Sequence, residues 1–234
     1  MKHLDGSYMV LGLAGRARAG KDTCADVLSQ AYQFYRMAFA DALRKEIIDA
    51  FGIDADLFHD STKDKKDTAL AIGRCNDAEF MALAVKMGVS VTDPRSPREI
   101  MRWWGTEYRR RQNPTYWLEH AAQTLEEAMR RGFRRVVITD VRFRNEADFV
   151  RLYDGLVWKI NRAEASAVAA THQSEIELGL IHADAVIDNN RSMTALAAEI
   201  MKAYRASTER PSGFWVHGTE DGPVQQSLTR ETNL

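Results

Sequence analysis

Gly15 and Gly20 bracket four residues and Lys21 follows at once, giving the spacing G-x-x-x-x-G-K inside GRARAGKDT. Glycines at such positions let the backbone turn so that successive N–H groups converge on one anion, and a helix N-terminus behind them adds a favourable field. The chemistry is phosphate binding, with Lys21 able to reach the β- and γ-phosphates of a nucleoside triphosphate. Asp22 stands where Ser or Thr ordinarily supplies a hydroxyl to Mg²⁺, and Thr23 comes one position later. Much further on, Asp140 ends the apolar run RRVVITD, followed by Arg142, Arg144, Asn145 and Glu146. A carboxylate in that position can hold Mg²⁺ or its water, as a Walker B acid does.

The elements that must position these groups are legible nearby. Tyr8, Met9, Val10, Leu11 and Leu13 suit a buried strand, and Cys24, Val27, Leu28 and Ala31 lie on one face of the following helix. Nucleotide binding is therefore a better reading of the loop than a glycine-rich turn that merely joins two elements. Phe34–Phe39 resembles a second strand, and a helix runs from Ala40 to Phe51, ended by Gly52, with Asp41 as candidate N-cap. Arg44 and Lys45 fall in its first turn, where the helix field disfavours cations, so they point to an anionic ligand. Residues 53–68 are polar and charged, a surface loop or insertion, and 76–87 suit another helix.

Ser96-Pro97-Arg98-Glu99 is a helix start, with Ser as N-cap, Pro at the first position and Glu at the third. Asn113-Pro114 opens a further helix that Gly132 ends. Trp103, Trp104 and Trp117 suit a core, and Arg109–Arg111 a solvated face. Residues 134–141 form a β-branched strand, 147–153 a helix, 155–160 a strand ending at Asn161-Arg162, and 185–188 a last strand. In a doubly wound sheet, Asp140 then lies beside the phosphate loop. Residues 163–182 are polar and partly helical, with His172, Ser174, Glu175 and His182. Ser192 caps the final helix, and beyond Arg205 a polar tail carries Phe214 and Trp215 as candidate docking residues.

The 234 residues, 45% hydrophobic and 28% charged, are enough for one α/β domain with insertions. A net charge of −1 gives no global drive toward nucleic acid or membranes. Cys24 and Cys75 make neither a disulfide framework nor a zinc site, and a reducing cytoplasm is the simple inference. No apolar segment is long enough to span a bilayer, and no leader pattern appears.

GRARAGKDTCADVL, FADALRK, REIMRWWGTEYRRRQNPTYW and ITDVRFRNEADFV, with NRAE and THQSEIELGL behind them, resemble the bacteriophage deoxynucleoside monophosphate kinases. These are P-loop enzymes of the adenylate-kinase-like group, in which an Asp follows the loop lysine. The resemblance implies a three-layer α/β/α fold with a five-stranded parallel sheet, a helical insertion for the monophosphate over about 53–131, and a short lid. It covers a kinase domain of residues 1–206 and leaves 207–234 as a tail. The implied reaction moves the γ-phosphoryl of ATP onto a deoxynucleoside monophosphate, with Mg²⁺. By position, Gly15, Arg18, Gly20, Lys21, Asp22 and Thr23 would hold ATP, with Asp22, Thr23 and Asp140 toward the metal. Asp41, Arg44, Lys45, Arg98, Thr106 and Trp117 would face the acceptor, with Asp140, Arg142 and Glu146 on its other side. Lys21, Arg142 and Arg162 would act on the transferring group. The expected partners are nucleotides and a second copy of the chain, in the cytoplasm, without membrane or nucleic acid. Rival acceptors are phosphomevalonate, whose kinase shares a GKD loop, and a hydroxymethyl-pyrimidine in DNA, for which Asp41 would be the base. A non-catalytic nucleotide-binding protein is the rival from another class.

Overall fold

Met9–Ala14 (β1) is a six-residue apolar strand with every residue buried, as a strand covered on both faces must be. The computed structural model describes residues 8–59, 61–163 and 173–209, with the side chains of 173–175 left aside. His172, Ser174, Glu175, Phe214 and Trp215 and the tail from residue 210 thus lie outside the described residues or side chains. β1 is joined through α1 (Lys21–Tyr32) to β2 (Tyr35–Met37). Further along come β3 (Arg135–Val141), α6 (Arg144–Leu152), β4 (Leu156–Asn161), α7 (Gln173–Leu180), β5 (Ala185–Asp188) and α8 (Met193–Thr208). Every strand pairing is parallel and the order is β2-β3-β1-β4-β5. The expected five-stranded parallel sheet is present.

The chain divides into two compact units, one made of residues up to Ala38 and from Ala122, the other Phe39–Ala121. The first holds the sheet. Leu11, Leu13, Leu28, Trp158, Ile187, Leu196 and Ile200 form its core. The buried face of α1 is Lys21, Cys24, Ala25 and Leu28, while Val27 is only partly covered and Ala31 is exposed. Burial pushes the Cys24 thiol up to about 12, so this cysteine is packing material.

The second unit is helical. It contains α2 (Ala40–Phe51), α3 (Ala78–Lys86), α4 (Pro97–Arg102) and a π-helical turn at Trp103–Arg110 that continues α4. α5 (Tyr116–Arg130) follows in the chain. Of the short 3-10 turns, Ala55–Phe58 falls within the 53–68 stretch expected to be loop, while Thr68–Leu70 begins at its end and Ile72–Arg74 follows it. The Ser96–Glu99 capping box forms as the sequence predicts. Asp41 does not cap α2: Phe39 is at that position, and Asp41 sits in the first turn paired with Arg44 at 2.8 Å. Trp103, Trp104 and Gly105 are all buried. The wider π turn brings neighbouring residues closer to one face than an α turn would, which suits two adjacent buried indoles.

Candidate active site

The phosphate loop runs from the end of β1 to the start of α1. Its conformation demands its glycines. Gly20 has φ +98, and a Cβ there would lie 2.3 Å from Asn189 Nδ2. A Cβ on Gly15 would lie 2.7 Å from the Ile160 carbonyl oxygen. Arg18, at the exposed tip, holds a left-handed φ of 63°. Lys21 is 7% exposed, and its ammonium donates to the carbonyls of Gly15 at 2.7 Å and Arg16 at 2.8 Å. An ammonium this buried needs acceptors, and the loop's own carbonyls supply them. The lysine is thereby folded back along its own loop.

Asp22 and Thr23 occupy the first turn of α1, where a carboxylate is favoured by the helix field. Asp22 is exposed and pairs with Arg36 of β2, which also donates to Asp26 at 2.6 Å. Thr23 is partly covered. Asp140 is on β3, next to β1, two residues after the Gly12–Ile138 pairing. Arg142 follows on the loop into α6. The N–H groups of Arg142 and Phe143 donate to Glu146 Oε2 at 2.8 and 3.1 Å, and Glu146 is 3% exposed. That oxygen therefore fixes the loop carrying Arg142, satisfying two donors that the start of α6 would leave open. Arg162 comes directly after β4, half-buried.

In the helical unit, Arg44 pairs with Asp41 and Lys45 is exposed. Arg98 grips Asp64 with Nε and Nη2, the latter at 3.2 Å from Oδ2. Thr106 lies in the π turn, partly covered. Trp117 is 4% exposed and its indole N–H donates to the Gly105 carbonyl at 3.1 Å, which places it in the core of this unit.

Glu46 has no signal of its own in the sequence. Its carboxylate accepts from Trp104 Nε1 at 2.7 Å, Arg109 Nε at 2.9 Å and Tyr116 OH at 2.5 Å. Arg109 also approaches Asp77 at 3.6 Å and lies over the rings of Tyr108, Tyr116 and Trp104. A solvated face was expected for Arg109, and the structure corrects this: its guanidinium is held between two carboxylates and three rings. Burial and then the bond to Glu46 push the Tyr116 phenol up to about 12, against the Arg109 charge, which lowers it. Burial and then the Asp77 bond raise Tyr108 as well. Asn189 and Asn190, at the carboxyl end of β5, are the other residues missed. Short amides just past a parallel strand were the available signal, because that edge of the sheet is where ligands bind.

A glycine loop with an inward lysine, joining the first strand of an all-parallel sheet to a helix, defines the class of P-loop nucleotide-binding proteins. Residues 60–200 match the family model described as deoxynucleotide monophosphate kinase. The chain belongs to the deoxynucleotide monophosphate kinase family and is a P-loop kinase, a phosphotransferase. A putative deoxynucleotide monophosphate kinase of Acanthamoeba polyphaga mimivirus is 28% identical over 203 residues, covering 82% of this chain and 94% of that protein. Among solved structures, the chain is similar to a dephospho-CoA kinase from Campylobacter jejuni, at TM-score 0.46 and 14% identity over 86% of this chain and 97% of that one. It is also similar to a sugar kinase from Janibacter sp., at TM-score 0.42 and 16% identity over 88% and 97%. Among the described residues no helix is long and apolar enough to cross a membrane.

Proposed function

We propose that the enzyme transfers the γ-phosphoryl of ATP to the phosphate of a deoxynucleoside monophosphate, giving the diphosphate and ADP. The observation that carries this is Lys21 folded inside the phosphate loop of a chain belonging to this family. Gly15, Arg18, Gly20, Lys21, Asp22 and Thr23 hold ATP. Asp41, Arg44, Lys45, Arg98, Thr106 and Trp117 serve the acceptor. Asp140, Arg142 and Glu146 are assigned to the acceptor as well, Glu146 by fixing the loop that carries Arg142. Arg142 and Arg162 meet the transferring group.

Phosphoryl transfer asks mainly for alignment and charge neutralisation. A monophosphate acceptor is already ionised near neutral pH, so no side chain has to remove its proton. Mg²⁺ is proposed as the metal, supplying neutralisation of phosphate charge. No cluster of three or more acidic, His or Cys groups suited to a metal exists among the described residues. Mg²⁺ ordinarily keeps several waters and binds through one or two protein oxygens plus phosphates. Thr23 and Asp140 are the donors, and Asp22 joins them only if it releases Arg36.

The test is an ADP-release assay with purified protein, ATP and Mg²⁺ across dAMP, dGMP, dCMP, dTMP and modified monophosphates. Turnover with at least one is expected. No turnover with any, together with labelling of hydroxymethylated DNA, would sink the proposal.

A further inference from the structure

β5 ends at Asp188 and α8 begins at Met193, and the corner between them is tied to two other parts of the sheet unit. The backbone N–H of Asn189 donates to the Asn161 carbonyl at 2.8 Å, and its side-chain Nδ2 donates to the Ala19 carbonyl of the phosphate loop at 2.8 Å. The next residue reaches the other way: Asn190 Oδ1 accepts from the N–H of Ala163 at 2.7 Å. Asp188 decides which way that amide faces. Its Oδ1 accepts both the backbone N–H of Asn190, at 3.2 Å, and the Asn190 Nδ2, which leaves the amide oxygen toward Ala163.

Arg162 therefore has a hydrogen-bonded neighbour on each side, Asn161 before it and Ala163 after it. Both bonds come from one two-residue corner, and that corner also grips the residue before Gly20. We infer that Asn189 and Asn190 are positioning residues that register Arg162 against the phosphate loop. They act through the backbone and touch no reacting atom. The inference rests on the proposed reading in which Arg162 meets the transferring phosphoryl group. Rigid placement matters because an error of about 1 Å in a reacting complex can cost about 100-fold in rate. Gly20 gains a second reason to be glycine here, since the Asn189 amide fills the space a side chain would need.

The experiment uses the full chain and Asn190→Ala, an exposed position. We expect kcat to fall about tenfold while the ATP dissociation constant and the unfolding midpoint stay near those of the parent, because alignment and not binding is lost. In a cycle with Arg162→Ala, removing Asn190 should cost little more once Arg162 is gone. Losses that simply multiply would overturn the inference, as would an unchanged kcat. Hydrogen exchange of the peptide spanning 160–163 supplies a readout that needs no acceptor. ATP should slow exchange there in the parent and not in Asn190→Ala, and equal slowing in both would also overturn the inference. Slowing lost in Asn190→Ala, with no monophosphate turned over by the parent, would instead uphold the coupling and remove the proposed acceptor.

Discussion

The sheet unit and the helical unit solve the problem of placing charge in opposite ways. In the first, a buried charge is met by backbone: Lys21, in a loop bent by Gly15 and Gly20, is accommodated by two carbonyls. In the second, the charges are side chains. Glu46, Arg109 and Asp77 are partly enclosed among Trp104, Tyr108 and Tyr116, and each group's cost of leaving water is offset by the others. A site made of backbone keeps its form when a side chain is cut away, whereas a side-chain network loses its form with any member. Function and stability should thus separate differently in the two units.

The largest effect should come from the sheet unit. Lys21→Ala is expected to lower turnover by about 100-fold or more, since a preorganised donor aimed at developing charge is typically worth that much. Its unfolding midpoint should change little, because a nearly buried ammonium is removed while the Gly15 carbonyl, which is buried, and the Arg16 carbonyl, which is partly so, lose the lysine donor. Steady-state assay beside thermal unfolding checks both. An unchanged rate would take the phosphate loop out of the mechanism, and a collapse of stability would undo the contrast between the units.

Glu46→Ala should show the reverse split. It strips three donors of their acceptor and leaves Arg109 with Asp77 alone at 3.6 Å. The pair is about four-fifths buried on each side, so a loss of about 2–3 kcal/mol is expected, below the cost of breaking a fully buried pair. On the proposed reading ATP is held by the phosphate loop, so its affinity should stay within about twofold of the parent's, a difference of only about 0.4 kcal/mol. Denaturant unfolding and calorimetric titration with ATP make the comparison. Weakened ATP binding at unchanged stability would contradict it.

The same difference explains what could be read from the chain. Gly15, Gly20 and Lys21 lie within seven consecutive residues, so their spacing is itself the geometry. The parallel strands were legible because apolar β-branched runs such as Val136–Thr139 have few other fates. The Ser96 capping box was legible because a cap needs only four residues. By contrast, the partners of Glu46 stand 58, 63 and 70 positions away from it, and no local pattern marks such a meeting. Arg109 was misread for that reason: inside RRR it has the company of a solvated run, and only the fold supplies Glu46 and Asp77. Ala31 failed differently. It continues the α1 stripe by spacing, but that helix buries Ala25 instead, turning its covered face by about one position. Asp41 has the residue type of a cap, but the chain at Phe39 is already helical in its backbone angles and leaves Asp41 inside the first turn.

The smallest expected effect concerns Tyr116 and the pH dependence of the helical unit. Its phenol is pushed up to about 12 by burial and by the bond to Glu46, against about 10 for a free tyrosine. The folded protein therefore keeps this proton where the unfolded chain has lost it. The stabilisation is fully present below pH about 10 and is lost as pH rises from about 10 through about 12. Tyr116→Phe removes the donor to Glu46, which should cost about 1 kcal/mol near neutral pH. The variant cannot ionise at this position, so it escapes the alkaline loss. The stability gap between parent and variant should accordingly narrow as pH climbs past about 10, where only the parent's unfolded chain gains by losing a phenol proton at this position. Denaturant unfolding of both proteins across that range measures the gap. A constant gap would mean that folding does not raise the Tyr116 phenol, and the helical unit's charge network would then lack the side-chain dependence that sets it apart from the phosphate loop.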